Sequence, residues 1–294
     1  MSSEAKNGGL GRQEEDREPV VRRPLVTVIT AVLNGQAHLE DTIKSVANQS
    51  YRKIEHVVVD GGSTDSTLDI ITAHENSIGL WISESDSGMY DALNKGIRLS
   101  QGELLTFLNA DDYLNGEHAI ETVVKEFEND SSLDWCYCDV RVSFEDRESH
   151  IYRIPPYDKE ALLSLGWCYV PHPGSFFRRG LFERFGLFDD RYKLVGDYEF
   201  FLRIGGQTRV KHLAFSPVTY RHHSNRLTER GSARRKIEHK EVQRSFNYRG
   251  RNARLALHAL WLMVRFRLLN YDIYTDRLKR VITGVIPGAH RART

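Results

Sequence analysis

The stretch Leu104-Leu105-Thr106-Phe107-Leu108-Asn109-Ala110-Asp111-Asp112 decides the fold. Its first five residues are mostly apolar and do not alternate, the pattern of a strand buried on both faces of a parallel sheet. The run stops on an amide and two carboxylates. Open α/β sheets bind ligands beyond the carboxyl ends of their strands, so these oxygens are expected at the mouth of a crevice. Adjacent acids repel one another and are steadied by a cation. Oxygen donors favour Mg2+ or Mn2+, ions that complete their shells with substrate phosphates. A turn whose acids cap the next helix is the alternative reading of the same residues.

Upstream, Val26-Thr27-Val28-Ile29-Thr30 reads as a strand with a helix over 37–48 behind it, and 54–59 as a second strand ending on Asp60. Gly61-Gly62-Ser63-Thr64-Asp65 allows a tight turn, with Ser63 or Thr64 expected to cap a helix from Ser66. A short strand over 79–83, a loop carrying Asp86 and a helix over 90–99 complete a βαβαβαβ alternation. That alternation predicts an α/β protein with a doubly wound sheet and right-handed crossovers. The oxygen-bearing ends (Thr30 to Asn34, Asp60, Asp86, Asn109 to Asp112) then converge on one edge. Downstream the pattern is less regular: a helix over 116–128, a strand over 134–142, a helix over 157–165 and a break at Pro171-His172-Pro173-Gly174. A helix over 197–204, a strand over 209–215 and helices over 232–248 and 253–269 follow.

The 294 residues, 40% hydrophobic and 28% charged, suit one large domain with an appendage. We divide them into a polar, disordered leader (1–23), a body (24–225) and a basic helical extension (226–294). Three cysteines offer no second pair for a zinc site, and a reducing cytosol is the default compartment. No apolar run approaches the roughly 18 residues of a membrane span. The net charge of +1 conceals an asymmetry: from Arg221 onward, 18 Lys and Arg stand against 5 Asp and Glu, a balance of +13, leaving the remainder at −12. A basic extension on an acidic body is expected to meet something anionic: phospholipid headgroups, nucleic acid or the body itself. No nucleic-acid module accompanies it. The stretch 253–266, apolar with Arg and Trp interruptions, suits an interfacial helix on an anionic membrane or a helix packed on its own domain.

Four motifs in order carry a resemblance: Thr30, Asn34 and Gly35; Val-Val-Asp-Gly-Gly-Ser-Thr-Asp over 58–65; Asp86-Ser87-Gly88-Met89-Tyr90-Asp91-Ala92-Leu93-Asn94-Lys95-Gly96-Ile97; and Leu108-Asn109-Ala110-Asp111-Asp112. Together they resemble the family 2 glycosyltransferases, inverting enzymes of the GT-A fold, over about residues 25–225. The resemblance implies transfer of a sugar from a nucleotide donor, a UDP-sugar, to a glycan or lipid-linked acceptor at the inner face of the membrane. It implies that Thr30, Ala31 and Asn34 cradle the nucleotide, that Asp60 accepts from the uracil N–H, and that Asp86, Asn94 and Lys95 line the nucleotide site. The family's Asp-x-Asp motif, which holds the metal and diphosphate, corresponds to Asn109-Ala110-Asp111. Asn replaces the first Asp, so Asp111, with Asp112 second, is the expected carboxylate for Mn2+ or Mg2+. Leu93 stands where many members carry an Arg.

The resemblance also implies an acidic motif opening a helix near the acceptor, and Leu194-Val195-Gly196-Asp197-Tyr198-Glu199 matches it. Asp197 is the expected general base. Glu199 is its rival, but residues two apart on a helix face different ways. His172, His222 and His223 are candidates for the site wall, and Trp167, Tyr169 and Phe176 for a sugar-stacking platform or the core. A nucleotidyltransferase and a non-catalytic nucleotide-sugar binder are the competing classes. The first lacks its Gly-rich, Arg-bearing loop after the first strand. The second is disfavoured by retention of Asp111, Asp112 and Asp197.

Overall fold

A computed structural model of the protein describes residues 23–145, 148–223, 231–248 and 253–271. Residues 1–22 of the expected leader lie outside the described residues. The first half follows the expected alternation: β1 (Val26–Val32), α1 (Leu39–Ala47), β2 (Ile54–Asp60), α2 (Thr67–Ala73), β3 (Leu80–Ser83), α3 (Met89–Leu99) and β4 (Leu104–Phe107). Strands β1, β2, β3 and β4 are parallel and lie in the order β3-β2-β1-β4. Val28, Ile29, Leu104 and Leu105 have no exposed surface, which is why these strands lack alternation. Register sets the carboxyl edge: Val32 stands opposite Asp60, and Asp60 opposite Ser83. The loops after three strands therefore leave from one rim, and Leu108 continues β4 by donating to the Ile29 carbonyl at 3.0 Å.

The second half adds β5 (Tyr113–Leu114), α4 (Ala119–Asn129), β6 (Trp135–Phe144), β7 (His150–Tyr152) and α5 (Lys159–Leu165). It continues with β8 (Ser175–Arg178), α6 (Gly180–Phe185), α7 (Gly196–Ile204), β9 (Val210–His222), α8 (Ser232–Ser245) and α9 (Ala253–Leu269). Strand β8 pairs antiparallel with β4 and β6, and β6 pairs parallel with β9, so the described strands form one mixed nine-stranded sheet. Strand β9 runs seven residues past its expected end. Pro217, a residue that cannot donate to a ladder, sits at a register shift between the Cys138–Leu213 and Val140–Val218 pairs. The irregularity absorbs the proline and lets the strand reach the rim at His222.

An aromatic core joins the sheet to α6 and α7. Phe182 stacks on Phe200 at 4.8 Å between centroids, and Trp135 on Phe177 at 5.8 Å. Truncating one such ring to alanine costs about 3–5 kcal/mol. Of the residues considered for a sugar platform, Tyr169 is buried in this core and Phe176 in a separate cluster with Leu104 and Cys136, while Trp167 is partly exposed at the cleft. The basic extension packs on the body. Glu238 of α8 is buried and accepts from the backbone N–H of Lys193 (3.1 Å) and Leu194 (2.8 Å). Beyond α9, buried Asn270 pairs with both backbone groups of Arg153, at 2.8 and 3.0 Å, in the manner of a neighbouring strand.

Candidate functional site

The rim opens on a cleft of about 1640 Å³ lined from both halves of the sheet. Its near wall is built by stapling the loops after β1 and β2. Asn34 adopts φ 54°, a left-handed conformation that Asn tolerates better than other non-glycine residues. Its backbone N–H donates to Ser63 Oγ at 2.7 Å, and its side-chain oxygen accepts from Thr64 N at 2.9 Å. Gly35 N donates to Thr67 Oγ1 at 2.8 Å. Ser63 and Thr64 are thus loop staples rather than caps of α2; Asp65 Oδ1 instead accepts from Thr67 N at 3.0 Å.

Several expected nucleotide ligands face away from the cleft. Thr30 is fully buried, its hydroxyl 3.1 Å from His56 Nε2. Asp60, expected to read the base, has no exposed surface. It accepts from Gly62 N (3.2 Å), Ser83 Oγ (2.6 Å), Ser63 N and the Ser63 hydroxyl, so both of its oxygens organise the loop. Asn94 is buried, with both ends of its amide on the Phe188 backbone at 2.8 and 3.0 Å. Lys95 is committed to Glu84 at 2.8 Å and the Ser85 carbonyl at 3.1 Å. Ala31, Asn34, Asp86, Asn109, Ala110 and Asp111 do line the cleft. Asp86 uses Oδ1 to accept from Gly88 N at 2.8 Å.

The turn after β4 separates two carboxylates that the sequence places side by side. Asp112 has no exposed surface; it accepts from the Asn109 amide at 2.7 Å and from Arg221 N at 2.9 Å. The expected second metal carboxylate is therefore a clamp between the turn and the end of β9. Thr42 of α1 secures the same turn, donating to the Ala110 and Asp112 carbonyls at 2.9 and 2.7 Å. Clamping Arg221 carries His223, two residues on, to the cleft, where its Nε2 lies 3.0 Å from Asp111 Oδ2. Behind it the Arg221 guanidinium bridges His38 Nδ1 (2.8 Å) and Asp41 (2.6 Å). Burial, then the neighbouring guanidinium, hold His38 below its ordinary value. His222 is turned toward Phe144 instead, ring centroids 5.2 Å apart.

One carboxylate and one imidazole at hydrogen-bond distance suit a cation that takes its remaining ligands from a diphosphate. Among the described residues no group of three or more acid, His or Cys side chains could hold a metal by itself. The donor set thus fits an ion shared with substrate.

On the far side, α7 begins at Gly196, where an added Cβ would lie 2.9 Å from the Tyr90 ring. That close approach lets the Tyr90 hydroxyl donate to Asp197 Oδ1 at 2.9 Å, while Tyr198 N donates to the same oxygen at 2.8 Å. Burial raises the Asp197 carboxyl above its usual range, and the two donors oppose that rise. Glu199 points the other way and is gripped by Arg203, Nε at 3.0 Å and Nη2 at 2.8 Å. His172 lies in the cleft wall, stacked on Phe107 at 4.8 Å; burial lowers its value to about 3, so the ring is neutral. Tyr90 and Arg221 escaped the sequence reading. Tyr90 sits inside a quoted motif but 107 residues from the acid it serves.

The chain is similar to several known proteins. The family model described as Glycosyl transferase family 2 matches residues 27–186. An uncharacterized glycosyltransferase of Mycobacterium tuberculosis is 35% identical over 202 residues, 67% of this chain and 72% of that protein. A PGL/p-HBAD biosynthesis glycosyltransferase of Mycobacterium bovis is 34% identical over 61% of this chain and 69% of its own length. Among solved structures, S. aureus TarS 1-349 in complex with UDP-GlcNAc superposes with a TM-score of 0.58 at 19% identity. That match covers 68% of this chain and 59% of that one. The mannosyltransferase PcManGT of Pyrobaculum calidifontis, in complex with GDP-Man and Mn2+, gives 0.58 at 20% identity over 94% of this chain and 81% of that one. At such identities these structures establish a shared GT-A-like fold.

Proposed function

The chain belongs to glycosyl transferase family 2 and is a glycosyltransferase, and from that premise we propose that it moves a sugar from a UDP-linked donor to a glycan or lipid-linked acceptor with inversion, Asp197 acting as general base. The observation that supports this reading is one cleft lined by Asp111 and His223 from the rim and by Asp197 from α7. Inversion is a single in-line displacement. The acceptor oxygen bonds to the anomeric carbon as the bond to the diphosphate oxygen breaks, and the acceptor proton passes to Asp197. Tyr90 and Tyr198 aim Asp197 and oppose the rise in its pKa that burial causes. Mn2+ or Mg2+, when bound, offsets charge on the departing diphosphate; Asp111 and His223 would hold it, with Asp112 keeping His223 in place. Asn34 and Asp86 bound the donor pocket. For the uridine, Asp60 acts indirectly, by holding the loop from Gly61 to Thr64 that fixes Asn34 at the donor pocket.

Isothermal titration of UDP and GDP, with and without Mn2+, tests this. UDP is expected to bind more tightly than GDP and to need the cation and Asp111. Equal affinity for the two nucleotides removes the uridine part. An Asp111→Ala protein that binds UDP as well as the parent in Mn2+ removes the metal part.

The acceptor's source is addressed by α9. Leu257, Leu260, Trp261, Val264, Leu268 and Tyr271 recur at helical spacing and are exposed, while Ala259, Leu262 and Asn270 face the body. No helix among the described residues is long and apolar enough to cross a membrane. In a segment with a +13 balance, such a stripe suits an anionic bilayer surface, where each nearby cation contributes about 1 kcal/mol. Flotation with phosphatidylserine vesicles should carry the protein upward; indifference to phosphatidylserine refutes the membrane assignment.

A further inference from the structure

The +13 balance of the carboxy-terminal segment has a second destination besides a membrane. Arg235, Lys236, His239, Lys240 and Gln243 are spaced at i, i+1, i+4, i+5 and i+8, which places them on one face of α8, and all five line the cleft. Lys193, from the loop before α7, joins them there. Neighbouring cations with structural duties are paired with carboxylates: Arg234 with Glu238 at 2.6 Å and Arg203 with Glu199 at 2.8 Å. Among the described residues, Arg235, Lys236 and Lys240 form no ion pair. Three cations that line a cleft and have no ion-pair partner among the described residues call for an anion brought by a ligand.

The position of the face tells which ligand. Helix α8 is fastened to the second half of the fold. Glu238 holds the Lys193-Leu194 backbone, and the His239 ring meets the Tyr198 ring at 5.0 Å. Gln243 donates to the Leu163 carbonyl at 2.7 Å. These anchors hold the loop before α7, α7 itself and α5, on the Asp197 side of the fold, while Asn34 and Asp111 come from the loops after β1 and β4; of the cationic group, Lys193 also reaches the loop after β3, its Nζ 3.5 Å from Ser87 Oγ. An in-line displacement brings the acceptor from the side opposite the departing diphosphate, and that is the side on which the general base stands. The helix next to Asp197 therefore faces the acceptor.

We infer that the cationic face of α8 is an acceptor subsite for a phosphate or diphosphate ester, so that the sugar is transferred to a phosphate-bearing acceptor. The inference rests on Asp197 as the base of a UDP-sugar transferase. It deepens that reading by naming the acceptor's chemistry. Lys236 and Lys240, both exposed, supply most of the attraction, and Arg235 supplies the planar guanidinium that suits phosphate oxygens.

Geranyl phosphate is the probe, geraniol the control, and the full-length chain is titrated alone and saturated with UDP and Mn2+. The saturated protein should bind geranyl phosphate at least tenfold more tightly than geraniol. Lys236→Glu with Lys240→Glu should remove that preference while leaving the UDP dissociation constant within twofold of the parent. Lys236→Arg with Lys240→Arg should retain it. If the phosphate confers no advantage, with or without UDP, the inference is overturned. If the double Glu variant loses UDP and geranyl phosphate affinity together, the cations serve the donor diphosphate and the inference is again overturned. Failure of the parent to bind UDP would instead strike the donor reading, and unimpaired transfer by Asp197→Asn the base, each read separately from the geranyl phosphate titration.

Discussion

Replacing Asp197 by Asn removes a proton acceptor and little else. The Asn side-chain oxygen can still accept from the Tyr90 hydroxyl and Tyr198 N, the two donors that hold the carboxylate now. General-base catalysis is worth about 10²- to 10⁴-fold, or about 3–5 kcal/mol of transition-state stabilisation, so kcat should fall by that order. The base acts on the acceptor, so the dissociation constant for UDP should stay near the parental value. A second substitution reads the geometry more finely. The Tyr90 hydroxyl lowers the Asp197 value against the rise caused by burial. A hydrogen bond to the charged form favours it, so Tyr90→Phe should raise the Asp197 value further. Asp197 must be ionised to work, and activity is lost as pH falls through its folded value. Tyr90→Phe should therefore shift the acidic limb of kcat/KM to higher pH and spare the rate on the alkaline side. The assay is initial-rate UDP release across pH 4 to 9. Parental turnover by Asp197→Asn, or an acidic limb that Tyr90→Phe leaves in place, would refute the reasoning.

Three further outcomes follow from the same contacts. Asp112→Ala leaves Arg221 N and the Asn109 amide without their acceptor, which should cost about 1–3 kcal/mol for each group left unpaired, seen as a fall in Tm, and should weaken Mn2+-dependent UDP binding by releasing His223; unchanged UDP affinity would contradict the clamp. Glu199→Gln should lower stability by about 1–3 kcal/mol through its bonds to Arg203 yet keep turnover within a few-fold of the parent, and a dead but folded variant would transfer the base role to Glu199. Burial depresses His56 to about 4 and His172 to about 3, below the unfolded value near 6.5, so their contribution is complete above that value and lost as pH falls beneath it. At pH 5 each should have withdrawn about 2 kcal/mol, measured by urea unfolding at pH 7 and pH 5, and a His56→Gln, His172→Gln protein with the parental pH dependence would dismiss them as the cause.

The first half of the fold was legible because its strands are buried on both faces and its glycines and Asx residues mark each turn. Unbroken apolar runs such as 57–59 and 104–108 leave little alternative to a parallel sheet, and the acids at their ends announce a ligand-binding rim. Strand β8 and the far end of β9 were not legible. One is four residues after a proline-rich break, and the other contains Pro217, tolerated only because β6 shifts register opposite it.

The same division runs through the site. The resemblance to family 2 pointed to Asp111, Asp86, Asn34 and Asp197, all of which line the cleft. It could not say which way a side chain turns. Asp111 and Asp112 are chemically alike and adjacent, and only the closure of β9 against the turn, through Arg221 N, makes one a clamp and leaves the other facing His223. Thr30, Asp60, Asn94 and Lys95 were drawn by motif into the nucleotide site, yet their partners are His56, the loop after β2, the Phe188 backbone and Glu84. Local pattern specifies which residues reach the carboxyl edge of a sheet, because that follows from period and turn chemistry. Whether each one then faces solvent or another element depends on contacts across as many as 183 residues of chain, which exist only once the two halves have packed.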